Sequence, residues 1–507
     1  MKKLFLIAML ALTAPSFAHA SGDVEKGRTV YERLCWWCHG REGEGDGPAA
    51  RYLNPPPRDF TMGEYKWKST PYDEIMPTDE DYRRMIAGVR RHDTIPGWDG
   101  LNNTSMPGWA DVLGGAEISD VIAYIKSLAE MEAPEAPAVA FKSVSSTRGS
   151  LERGRELYLD RCSGCHGRKG RGDGEKRLKD DWGARTWPRD LTKGWTFRAG
   201  SDAGAVYTRI TVGIPGTQMP SFADPVSKKV MTDEQRRDVA NYVVSLNAPY
   251  KRPGADNVVR AARVDGALPG PRGKAWDSVP FVSLYLVPQI VAGQRLYTPT
   301  VDSISVKAMH NSTELAVYVE WDDPTESIPG VKKAEDIAAG EVFPDRVALE
   351  FPATFERGGV PPYFGMGSAT GAVNIWSWQS PSGPGRPGGV GLMDARGAGK
   401  ITMRNAGAAG LTATGYYDHG TWTVVFKRPL DTGDDMDIRL GQGVFTPVAF
   451  ATWDGSNNEK GSRHTMTGWA SIMLEPGTDK SVYLWPAIIA IIVLCMEMLW
   501  LKNARKG

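Results

Sequence analysis

The chain has 507 residues, and its 60 lysines and arginines balance 60 aspartates and glutamates. That balance excludes nucleic acid or an acidic polymer as the partner that charge would select. The length calls for about three domains. Residues 1–20, "MKKLFLIAMLALTAPSFAHA", place two lysines before a short apolar run and end on the small residues of "AHA". This pattern predicts a secretory signal peptide cleaved before Ser21, and hence export.

"CWWCHG" at Cys35–Gly40 and "CSGCHG" at Cys162–Gly167 follow. Cys-x-x-Cys-His is the attachment signature of c-type haem. One helical turn presents two thiols to the two porphyrin vinyl groups, and the adjacent histidine reaches the iron. A zinc site needs a second ligand pair, which neither stretch supplies. Cys35, Cys38, Cys162 and Cys165 are therefore the expected covalent attachments. His39 and His166 are the expected proximal ligands. The fifth cysteine, Cys495, has no partner left for a disulfide.

The surroundings repeat as well. "GRTVYERLCWWCHG" matches "GRELYLDRCSGCHG", "PPRDFTMGEYKW" resembles "WPRDLTKGWTF", and "SDVIAYIKSL" matches "RDVANYVVSL". Val121, Tyr124, Ile125 and Leu128 recur at helical spacing, as do Val239, Tyr242, Val243 and Leu246. Each copy thus begins with a helix leading into the cysteines and ends with an amphipathic helix. The pattern resembles the class I cytochrome c fold, with copies at 21–132 and 148–250 joined by a linker at 133–147. The resemblance implies Met106 in "SMPGW" and Met219 in "QMPSF" as sixth iron ligands. Met76 and His92 are alternatives in the first copy. The "GEGDG" and "GRGDG" loops hold too few carboxylates for calcium and read as tight turns.

Residues 251–276 are rich in proline, glycine and arginine and read as a linker. From 277 to 478 helical periodicity gives way to alternating runs. These include "SISVKAMHNSTELAVYVEW", a hairpin in "LTATGYYDHGTWTVVFKRPL", and further strands in "DRVALEFP", "GAVNIWSWQ", "GKITMRN", "VFTPVAFATW" and "WASIMLEP". Short strands with turn signals predict a β-sandwich. In "FGMGSATGAVNIW" a methionine stands between glycines, which let a backbone approach a flat ring closely. In "WTVVFKRPL" a lysine follows a mostly apolar line, and a neutral amine has a lone pair for iron. These stretches resemble the haem b-binding γ subunit of the type II dimethyl sulfoxide reductase family, which includes ethylbenzene dehydrogenase and chlorate, selenate and nitrate/nitrite oxidoreductases. The resemblance implies one haem b with Met366 and Lys427 as iron ligands. His464 is the alternative ligand, while His310 and His419 fall in turns expected to be exposed.

Residues 482–501, "VYLWPAIIAIIVLCMEMLWL", match the length of a membrane-crossing helix, and Lys502, Arg505 and Lys506 follow. The sequence thus predicts two all-α cytochrome c domains, an all-β sandwich and one C-terminal transmembrane helix. The large N-terminal part would lie in the periplasm, anchored in the cytoplasmic membrane. No nucleophilic triad, nucleotide fingerprint or iron–sulfur cysteine cluster stands out. The expected role is a non-catalytic electron-transfer subunit. It would work between a molybdenum catalytic subunit with its iron–sulfur subunit and a soluble cytochrome c or membrane oxidase. Two alternatives remain at this stage: a cytochrome with a sugar- or substrate-binding sandwich, and a dihaem c redox enzyme.

Overall fold

The computed structural model describes residues 22–504, apart from 54, 93–94, 102–103, 130–133, 135, 144, 175–177, 184, 248–255, 339, 357 and 478–480. The expected signal peptide lies outside the described residues. The chain divides into two compact units. One comprises Met1–Ala140 with Thr211–Ser227, and the other Phe141–Ile210 with Lys228–Gly507.

In the first unit α1 (Val24–Leu34) runs into the short helix α2 (Trp36–His39). Helix α3 (Asp79–Ala87), hairpin β1 (Val89–His92) and β2 (Ile95–Asp99), and α4 (Gly115–Leu128) follow. Asp23 caps α1 by accepting the amides of Glu25 and Lys26. Helix α4 presents Val121, Ile122 and Ile125 to Val30 and Tyr31 of α1. Gly27 makes this crossing possible, because a Cβ there would lie 1.9 Å from the Asp120 carbonyl oxygen.

The second unit repeats the scheme with α5 (Arg148–Arg161) and α6 (Ser163–His166). Two short strands, β3 (Leu178–Lys179) and β4 (Arg185–Thr186), precede α7 (Ala203–Val212), whose last two residues belong to the first unit. Helix α8 (Asp233–Ser245) closes the repeat. At the α5–α8 crossing Gly154 does what Gly27 does, since a Cβ there would lie 2.2 Å from the Asp238 carbonyl oxygen.

The sandwich begins earlier than its sequence suggests. Strand β5 (Val258–Arg263) lies within the stretch read as a linker and pairs in parallel with two others. Val259 and Ala261 point inward, but the surrounding prolines and glycines hide so short an alternation. Next come β6 (Val282–Tyr285), β7 (Val287–Pro288), β8 (Ser303–His310) and β9 (Glu314–Asp322). A short helix α9 (Lys332–Ile337) leads to β10 (Arg346–Pro352), β11 (Val373–Gln379), β12 (Gly389–Ala395) and β13 (Ile401–Arg404). The remaining strands are β14 (Thr412–Tyr417), β15 (Thr421–Pro429), β16 (Phe445–Trp453), β17 (Thr465–Met466) and β18 (Ala470–Leu474).

The strand order is β13-β12-β11-β10-β16-β18-β5-β8-β9-β15-β14. Strand β16 turns from one layer into the other, pairing first with β18 and later with β10 and β17. One core fills the space between the layers, with Val347, Leu349 and Trp376 from one side and Val317, Val424 and Phe426 from the other. Both faces of β8 are buried, because a segment holding Leu268, Trp276 and Val279 covers the outer face of its layer. That cover is why β8 lacks a solvent-facing polar side.

Helix α10 (Ser481–Ala504) has 24 residues and so extends roughly 36 Å at the usual rise. Leu484, Trp485, Ile489, Ile491 and Trp500 are exposed on it. Among the described residues no helix is long and apolar enough to cross a membrane. The side chains of 481–483, 499 and 502–504 fall outside that description.

Candidate haem sites

The two cytochrome motifs are built alike, bond for bond. Tyr31 donates its hydroxyl to the Gly40 carbonyl at 2.7 Å, and Tyr158 does the same to Gly167 at 2.7 Å. Gly45 N–H reaches the His39 carbonyl at 2.8 Å, and Gly172 N–H reaches that of His166 at 3.0 Å. The "GEGDG" and "GRGDG" stretches are tight turns with left-handed glycines at 43, 45, 170 and 172.

His39 Nδ1 lies 2.9 Å from the Arg58 carbonyl oxygen, and His166 Nδ1 lies 3.2 Å from that of Arg189. Each Nδ1–H donates to a carbonyl, which fixes the tautomer and leaves Nε2 with a lone pair for a metal. Burial lowers the pKa of both imidazoles, against the opposing pull of those carbonyl bonds. Both rings are therefore neutral and ready to ligate. The carbonyls come from "PRDF" and "PRDL", whose repetition was visible in the sequence but whose orienting task was not. Burial pushes Cys35 and Cys162 up to about 12. Among the described residues neither cysteine pair joins a cluster of metal-ligating side chains of the kind zinc needs. None of the five cysteines forms a disulfide.

The methionine loops are likewise duplicates. Met106 N–H donates to Thr104 Oγ1 at 3.1 Å, and Met219 N–H to Thr217 Oγ1 at 3.2 Å. The carbonyls of Met106 and Met219 accept the amides of Leu101 and Ile214, each at 3.0 Å. Both methionines are half-buried. Met76 is instead packed in the core of the first unit at 2% exposure. His92 lies on β1, and its side chain is outside the described residues.

In the second unit the second cytochrome repeat sits on one end of the sandwich. Lys193 Nζ pairs with Asp322 at 2.7 Å, and Lys169 Nζ with Asp418 at 2.7 Å. Arg171, in the loop after His166, donates to the Asp418 carbonyl at 3.0 Å. Gly420 lies so close that a Cβ there would be 2.8 Å from the Arg171 carbonyl oxygen. The arms of the haem-binding loop thus rest on the β14–β15 turn.

The sandwich residues separate into two groups. Met366 has φ +74°, an uncommon backbone for a side-chain-bearing residue. Its amide donates to Glu350 at 3.1 Å, and burial pushes Glu350 up to about 8. Met366 packs with Met393, Trp453 and Trp469 on the outer face of the β10–β11–β12 layer. Lys427 follows Thr423 and Val425 on the outer face of the other layer, where its Nζ donates to the Leu268 carbonyl at 2.5 Å. Stacked sheets stand about 10 Å apart, and the main core fills that gap. The structure therefore does not bring Met366 and Lys427 together, which corrects their pairing on one iron.

His464 is on the Met366 side. Its ring lies tilted against Trp453 with centroids 4.7 Å apart. Its Nδ1 lies 3.2 Å from the Gly461 carbonyl, the same arrangement as in His39 and His166. Burial pushes its pKa down to about 4, so its Nε2 also has a free lone pair at neutral pH. His310, expected in an exposed turn, is fully buried at the end of β8, with Nε2 2.8 Å from the Glu475 carbonyl. His419 is exposed in the β14–β15 turn, as expected.

Residues 24–129 and 151–247 match the cytochrome c family, so each repeat is a haem-binding cytochrome. Residues 273–398 and 397–465 match the ethylbenzene dehydrogenase family. Among curated relatives, the putative respiratory nitrate reductase heme subunit ORF7 of Haloferax mediterranei is 24% identical over 50% of this chain and 87% of its own length. The chlorate reductase subunit gamma of Ideonella dechloratans is 26% identical over 42% of this chain and 83% of its own. The FixP subunit of a cbb3-type cytochrome c oxidase from Sinorhizobium medicae is 26% identical over 41% of this chain and 58% of its own. The chain carries two cytochrome c domains followed by an ethylbenzene dehydrogenase-type domain, the γ-subunit domain of the type II dimethyl sulfoxide reductase family.

Proposed function

We propose that this chain is the membrane-anchored periplasmic electron-transfer subunit of a respiratory molybdenum oxidoreductase. It passes electrons between the iron–sulfur subunit of that enzyme and a soluble cytochrome or oxidase. Bound haem supplies a one-electron iron couple at each site. Cys35, Cys38, Cys162 and Cys165 would hold two haems c, with His39 and His166 as proximal ligands whose Nδ1 atoms are fixed on the Arg58 and Arg189 carbonyls. The cytochrome c resemblance assigns Met106 and Met219 to the sixth positions, which would leave no open site for a substrate. Met366 and His464, both beside Trp453 on the outer face of the β10–β11–β12 layer, would hold one haem b there. The anchor is α10, whose exposed apolar side chains suit lipid.

One observation carries this reading. The second cytochrome repeat docks through its haem-binding loop on the sandwich, by the Lys169–Asp418 and Arg171–Asp418 contacts. A haem domain seated directly on the γ-subunit domain suits transfer within one chain. The relatives named as nitrate and chlorate reductase subunits support a molybdenum partner, and the oxidase subunit supports a cytochrome or oxidase on the other side. A pyridine haemochrome spectrum of the purified chain should show two covalent haems c and one extractable haem b. Finding no haem b would remove the proposed link to the iron–sulfur subunit.

A further inference from the structure

One end of the sandwich buries three carboxylates. Asp323 follows β9, Asp345 precedes β10, and Asp454 follows β16. The β10–β16 register sets Arg346 opposite Trp453, so Asp345 and Asp454 emerge side by side. One carboxylate oxygen from each of the three lies within 4.8 Å of the other two. Their exposures are 0%, 0% and 1%. Among the described residues no cationic side chain pairs with any of them.

The hydrogen bonds at this site are incomplete in a telling way. Asp345 accepts the amides of Ser327 at 2.7 Å and Gly455 at 2.8 Å, and the Trp422 indole N–H at 2.8 Å. Three such donors favour a charged carboxylate, against burial and the neighbouring Asp454, which push Asp345 up to about 8. Asp323 commits Oδ1 to Thr325. Its Oδ2 is buried with no partner, and so is the hydroxyl of Ser456. Ser456 is fully buried, and its amide donates to Asp454 Oδ1 at 2.8 Å. Uncompensated buried charge is costly. An unpartnered oxygen within three clustered buried carboxylates, with a second on Ser456 two residues from Asp454, therefore calls for a cation.

The donor set names the cation. Every candidate ligand is a hard oxygen, which disfavours the softer transition metals. Two oxygens facing each other across Ca²⁺ at about 2.4 Å are roughly 4.8 Å apart, so this cluster fits one coordination sphere. Mg²⁺ retains several waters, for which a site of fully buried side chains is unsuited.

We propose that Asp323, Asp345 and Asp454 bind one Ca²⁺ ion that fastens three strand ends beneath the second cytochrome repeat. The fastening reaches that repeat through short links. Asp323 N–H donates to the Gly420 carbonyl at 2.9 Å, and Gly420 abuts Arg171. Arg185 donates to the Ser456 carbonyl at 3.5 Å.

The test uses the full-length, haem-loaded protein. Metal analysis should find one calcium per chain alongside the haem iron. Chelation with EGTA should lower Tm by about 5 °C. Added Ca²⁺ should restore it and added Mg²⁺ should not. Asp323→Asn should abolish both the bound calcium and the response of Tm to EGTA, with the haem spectrum retained. Should that variant fail to fold, the wild-type metal content and its EGTA response decide alone. A wild-type chain without calcium, a Tm indifferent to EGTA and Ca²⁺, or equal rescue by Mg²⁺ would overturn the assignment.

Discussion

The cytochrome repeats and the sandwich hold their candidate ligands in opposite ways. Within each repeat the two cysteines and the histidine are contiguous, on one helical turn, and the histidine's orienting carbonyl comes from Arg58 or Arg189. In the sandwich Met366 and His464 lie far apart in sequence, on loops that only the strand order brings to one face. A site written within a few residues survives duplication intact, and this chain has kept two copies. A site assembled from distant loops depends on the whole sheet being folded first.

That contrast is most open to test through the cysteines. Replacing Cys162 and Cys165 together with serine should halve the covalent haem and leave the first haem c and the haem b in place. Haem content after acid–acetone extraction checks this. If the haem b disappears as well, the sandwich site depends on the cytochrome seated upon it, and the contrast fails.

Next in size is the ligand exchange on the sandwich. His464→Ala should remove most of the haem b while two haems c remain. Lys427→Ala should leave haem b content unchanged, because its Nζ is committed to Leu268 on the other face. Loss of haem b from the lysine variant and not from the histidine variant would mean that the sheets rearrange on binding haem.

How far the sequence could be read follows the same division. Cysteine spacing and helical periodicity act within single short segments, and the second copy repeats them, so the cytochromes were legible down to their terminal helices. The β14–β15 hairpin and β8–β9 were legible for the same reason, since a turn joins each pair. Strand β5 was not, because its partners β18 and β8 are remote and its parallel pairing has no turn to announce it. Lys427 was misplaced for a related reason. Alternation along β15 separates its two faces, but only the stacking of the layers says which face meets Met366. The burial of His310 depends on Glu475, 165 residues away.

A smaller effect compares the repeats with each other. Gly27→Ala and Gly154→Ala each force a methyl group into a helix-crossing carbonyl, at 1.9 Å and 2.2 Å. Overpacking of this kind costs about 1–3 kcal/mol. Thermal unfolding of each variant should show a loss in that range. A much smaller loss at Gly154 would show that docking on the sandwich holds the second repeat together when its helices are pried apart.

The smallest effect concerns the docking contact itself. Asp418 lies against Lys169, His419 and Arg171. Although partial burial opposes them, the Lys169 and His419 bonds hold its carboxyl down at about 2. A carboxylate whose folded pKa is depressed adds stability above its unfolded pKa of about 3.9 and loses it as pH falls toward 2. Because Asp418 remains partly exposed, solvent screening limits the contribution to roughly 0.5 kcal/mol. Asp418→Asn should therefore be slightly less stable at pH 7, and the difference should vanish between about pH 4 and pH 2. Denaturant unfolding across that range measures it. A difference that persists at pH 2 would assign the contact to packing of Gly420 against Arg171 instead of to charge.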